Sequence, residues 1–328
     1  MSTRFLSHLF SLVSRFDFQP GGSPLPSPAS AEPLPQRDED WSALFRASPR
    51  CYSNALARIA ARLSEAAETG DGADVTAVYR ACGFARIAVG NYRHNTGTAP
   101  DIGSGRVSLA FAAGHRTILR EGRPVPLLVL TVRGTVNLWE LYRDLTTQPA
   151  NGLHDLPIYD LVREFETELL AGLRRYLSLQ RELAGQPMVF LLTGHSLGGA
   201  AANLLAARLT AHAPQWLNRE AVYCYTFGSL DTFDPAGLPA APIVSGYENL
   251  HTLYNEQDDF GPIGHGLCGV PLLMAKGCGR AGKFGLLHTF EADYRKTRKS
   301  SSPNHDMCVY LAALGQPELV SRWERECL

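Results

Sequence analysis

The chain has 328 residues, 45% of them hydrophobic, enough to bury a sizeable core in one large domain or two ordinary ones. Its 31 Lys and Arg stand against 32 Asp and Glu, a formal net charge of -1, which argues against nucleic acid as a partner because that role needs a concentrated positive field. No apolar run reaches the roughly 18 residues of a membrane-spanning helix, and the seven cysteines, odd in number and widely scattered, read as reduced thiols rather than a disulfide framework.

In chain order, residues 1–18 come first as an amphipathic helix. Phe5, Leu6, Leu9, Phe10, Leu12, Val13 and Phe16 recur at helical spacing, with Arg4, Arg15 and serines between them. Such a helix can lie on a membrane surface or dock on the domain behind it. It has neither the unbroken apolar stretch nor the small-residue end of a cleaved secretory signal, so a cytoplasmic or non-classically exported protein is expected. Residues 19–40 are rich in Pro, Gly, Ser and Ala and read as a linker. The folded domain is expected over 41–328.

Within that domain two helices come first, around residues 51–67 and 73–84. Strands are expected at 106–114, 126–134, 187–194, 221–229 and 250–255, with a long helix over 158–183 and another after Gly199. Strands alternating with helices predict an α/β fold, a mostly parallel sheet covered on both faces.

The stretch "LLTGHSLGGAAANLLAARL", residues 191–209, places Ser196 between an apolar strand and an apolar helix. In that context Gly-x-Ser-x-Gly describes a nucleophile elbow, a sharp turn that holds a serine hydroxyl clear of the sheet. Gly194 and Gly198 stand where side chains would collide with neighbouring backbone. The helix N-terminus adds partial positive charge for a developing oxyanion.

A serine hydroxyl needs a base, and the base needs an orienting acid, in the order Ser, Asp or Glu, His. Asp258 and Asp259 directly follow the strand at 250–255. Of the later histidines, His265 lies in a glycine-rich loop and His288 in apolar "GLLHTF". His305 leaves a polar loop just before a helix and is the favoured base. The amide of Leu197 supplies one oxyanion donor, and the strand exit Arg133-Gly134-Thr135 supplies a candidate for the second. Arg133 reads as a guanidinium tying loops together. His265, Cys268 and Cys278 share a loop, but their spacing fits no familiar zinc site. No metal or cofactor is expected.

The blocks "VLTVRGT", "TGHSLGGAAANLLA", "YTFGS", "YNEQDDFGP" and "NHDMCVYL" occur in the order found in class 3 lipases, and the chain resembles that α/β-hydrolase family over residues 105–312. The resemblance implies Ser196 as nucleophile, Asp258 as acid, His305 as base and Thr135 as oxyanion residue. It implies a lipid ester, an acylglycerol or a phospholipid, as substrate. After the acid, Asp259-Phe260-Gly261-Pro262 replaces the family's valine-proline. The loop 264–285, with apolar "VPLLMA", replaces its proline-rich segment and suits either a lid or acyl groove or a cover for the sheet edge. A short-chain carboxylesterase, an acyltransferase and a catalytically inactive lipid- or protein-binding module are the alternatives.

Overall fold

The computed structural model describes residues 35, 38–68, 71–92, 109–134, 158–212, 217–229, 248–255, 285–287 and 305–315. Helices α1 (Asp38–Leu44), α2 (Asn54–Glu68) and α3 (Gly72–Ala81) lead into strands β1 (Arg86–Gly90), β2 (Phe111–Arg120) and β3 (Arg123–Val132). Then come α4 (Ile158–Leu179), a short 3-10 turn (Arg181–Leu183), β4 (Met188–His195), α5 (Ser196–Ala211), β5 (Leu217–Phe227), β6 (Leu250–Asn255), β7 (Gly285–Leu287) and α6 (Met307–Leu314).

The seven strands form one sheet in the order β1-β2-β3-β4-β5-β6-β7. β1/β2 and β2/β3 are antiparallel, and every pairing from β3 to β7 is parallel. The expectation of a mostly parallel α/β sheet with helices on both faces therefore holds. Three details differ from the sequence reading. α1 precedes the two helices expected first and opens at Asp38, inside the span read as linker. β2 runs on to Arg120 because β2 and β3 form a tight hairpin whose tip, Glu121-Gly122, has φ of 53° and 75°. Positive φ at both central residues matches the twist of paired strands, and glycine takes it without cost. β1 and β7, of five and three residues, are too short to show the period of two by which strands are read.

Strand order explains the layering. Successive parallel strands that always add on the same side, joined by right-handed crossovers, send their connecting helices to one face. α4 and α5 occupy that face and bury Phe165, Leu169, Leu205 and Leu209 against Leu128, Leu130, Phe190, Leu192 and Val222. The alternate residues Leu127, Val129, Val189, Leu191, Tyr223 and Tyr225 point the other way, where α1, α2, α3 and α6 cover them. The N-terminal helices are therefore half of the core's lid. Tyr223 donates to the carbonyl of Ala47 at 2.7 Å, the Ser53 amide donates to the Tyr225 hydroxyl at 3.0 Å, and the His251 ring bonds to the carbonyl of Pro49 at 2.9 Å.

Candidate active site

β4 delivers the site. Val189, Phe190, Leu191 and Leu192 are fully buried, and the strand runs without a loop into α5. The first residue of α5 is Ser196, with φ of 53°. A left-handed backbone at a non-glycine residue costs of order 1–3 kcal/mol and persists only where its surroundings enforce it. Here the enforcement is steric. A Cβ on Gly194 would lie 2.7 Å from the carbonyl oxygen of Gly198. One on Gly198 would lie 2.6 Å from the carbonyl carbon of Arg133, at the end of β3. Ala200, Ala201 and Ala202 are fully buried and let α5 lie close to the sheet. Leu197 is the second residue of this 16-residue helix, and Gly198 after it lies against the exit of β3.

His305 stands two residues before α6, which is anchored by buried Met307, Tyr310 and Leu314 in the same core as α2. Its ring centroid lies 4.4 Å from that of His195, the residue before Ser196, with the planes inclined at 42°. Tyr310 completes the enclosure, 6.0 Å from the His195 ring and 5.9 Å from that of Phe227. Ser196, Leu197 and His305 thus gather at the C-terminal end of β4. Thr135, Asp258, Asp259, His265, Cys268, Cys278 and His288 lie outside the described residues, as do residues 1–18. Asp258 follows the last residue of β6 by three positions in sequence, and Thr135 follows Gly134 at the exit of β3.

Arg133 is buried and holds its guanidinium 5.5 Å above the ring of Tyr92. Burial pushes the Tyr92 phenol up, against the downward pull of Arg133. Its hydroxyl donates to the carbonyl of Ala67 at 3.1 Å, so Arg133 and Tyr92 join the exit of β3 to the end of α2. On the far side of the elbow, Asn203 of α5 donates to Ser229 at 3.2 Å and Thr252 at 3.1 Å and accepts from Thr226 at 3.1 Å. This buried network fixes α5 to β5 and β6, the strand that leads toward Asp258.

One residue at this site was not foreseen. The Glu68 carboxylate, at the end of α2, is hydrogen-bonded to Nδ1 of His195. The available signal was the histidine between Gly194 and Ser196, an ionisable ring one residue from the candidate nucleophile.

Residues 129–236 match the model of the family Lipase (class 3), a span that includes Thr135, Ser196 and Leu197 and ends before Asp258 and His305. Among solved structures, the triacylglyceride lipase of Rhizomucor miehei is 20% identical, with 55% of this chain and 62% of that chain covered and a TM-score of 0.31. The Rhizomucor miehei lipase propeptide complex is 15% identical, with 88% and 86% covered and a TM-score of 0.39. A lipase of Rhizopus microsporus var. chinensis is 12% identical, with 74% and 79% covered and a TM-score of 0.32. The chain spans less than two thirds of the first of these, and no curated protein sequence matches it.

Proposed function

We propose, taking the class 3 lipase match over residues 129–236 as premise, that the chain is a serine hydrolase of lipid esters, acylglycerols or phospholipids. His305, oriented by Asp258, takes the proton of the Ser196 hydroxyl as Oγ attacks the ester carbonyl. The amides of Leu197 and Thr135 receive the developing oxyanion, each such donor contributing on the order of 3 kcal/mol to the transition state. His305 passes its proton to the leaving alcohol, then takes one from the water that releases the acyl group and regenerates Ser196. No cofactor enters these steps.

The observation that carries this reading is Ser196 itself. It is a serine in the left-handed region at a strand-to-helix turn, one residue from a ring against which His305 packs. Replacing Ser196 by Ala removes the nucleophile without touching the core, so p-nitrophenyl ester hydrolysis is expected to vanish with unfolding unchanged. Hydrolysis at the wild-type rate by the folded variant would refute the assignment. A lipid substrate further implies turnover that rises when the ester passes its solubility limit, with residues 1–18 as the proposed contact to the lipid surface. Plain saturation below that limit would point to a short-chain esterase instead.

A further inference from the structure

We propose that Glu68 and His195 form a positioning pair that buttresses the ring of His305 while Asp258 orients it, an inference that rests on reading Ser196 and His305 as nucleophile and base. The pair lies where the end of α2, the end of β4 and the exit of β3 meet. α2 is pinned beneath β4 by the buried hydroxyls of Ser64 and Thr193, 2.8 Å apart, and Thr193 donates to the carbonyl of Ala60 at 3.1 Å. Tyr92 holds the last turn through Ala67. Glu68 is therefore presented from a fixed helix end.

Its carboxylate accepts the Nδ1 proton of His195, and that hydrogen bond determines both the tautomer and the rotation of the imidazole. The His195 side chain is 6% exposed and that of Glu68 28%, so the ring is enclosed while the carboxylate keeps part of its hydration. Held in this way, the ring offers a fixed surface to His305 at 4.4 Å, backed by Tyr310. The backbone makes room for the bond. A Cβ at position 134 would stand 3.2 Å from the Glu68 carboxylate and 2.8 Å from the His195 carbonyl oxygen, so glycine at the exit of β3 leaves space for both partners.

A pair of this kind acts through geometry, because small displacements of a catalytic base are costly in rate. It needs an acceptor for the Nδ1 proton, which glutamine also provides. In the full chain, Glu68→Leu is expected to lower kcat for a p-nitrophenyl ester roughly ten- to a hundredfold, with KM changed by less than about twofold. Glu68→Gln should recover most of the lost kcat. A leucine variant with wild-type kcat, a loss confined to KM, or a glutamine variant as impaired as the leucine one would overturn the proposal.

Should Glu68→Leu fail to fold, imidazole NMR of the histidine-labelled wild-type chain decides. His195 is expected to carry its proton on Nδ1 in a slowly exchanging, low-field resonance that survives His305→Gln, and a proton on Nε2 alone would overturn the pair. Turnover retained by Ser196→Ala would instead sink the hydrolase reading, a different result from intact serine chemistry that ignores Glu68.

Discussion

Desolvation pulls the His115 imidazole below its ordinary value, although the Glu182 carboxylate, 3.7 Å from Nε2, pulls the other way. His115 also bonds through Nδ1 to the Tyr176 hydroxyl at 2.7 Å. On acidification the unfolded chain takes up this proton before the folded one, so stability is retained above about pH 6.5 and declines as pH falls below it. His115→Gln should therefore flatten the dependence of the urea midpoint on pH between 5 and 7, whatever it does to the midpoint itself. An unchanged slope would show that His115 does not carry this linkage. At the same scale the strand-to-helix turn at Ser196 was legible from its flanking glycines. Glu68 was not, because it stands 127 residues from His195 in sequence and only the packing of α2 against β4 brings the two together.

At the scale of elements, the turn from β4 to α5 depends on backbone contact between neighbouring strand ends. Gly198 lies against the carbonyls of Val132 and Arg133. Alanine there pushes on backbone rather than on a side chain that can rotate aside, so Gly198→Ala should destabilise the fold by roughly 1–3 kcal/mol or more. It should also reduce ester turnover severely by displacing the Leu197 amide. Thermal unfolding and kcat together check this, and full activity at wild-type stability would contradict the elbow packing. Five strands were readable as apolar runs bounded by turn residues, whereas the full length of β2 and the presence of β1 were not. β1 buries only its last three residues, Ala88, Val89 and Gly90, which leaves no alternation to detect. The hairpin at Glu121-Gly122 was hidden because arginines on both sides of it mask the strand ends.

For the whole molecule, the sheet order determines which parts of the chain must cooperate. Among the described residues, α4 and α5 from the β-to-β connections cover one face and α1, α2, α3 and α6 cover the other, so that α2 carries Glu68 to the elbow. The general α/β class followed from alternating patterns. The division of helices between faces did not, because an amphipathic helix shows that it has a partner and not which one. The family match ends before His305, yet the fold brings that residue back to the elbow through α6. The central claim is that Ser196 is an activated nucleophile, and covalent trapping tests it most directly. A fluorophosphonate probe incubated with the full chain should add one phosphonyl group, found by mass spectrometry on the peptide containing Ser196 and absent from Ser196→Ala. An unlabelled wild-type chain, or an adduct that forms equally on the alanine variant, would contradict the account.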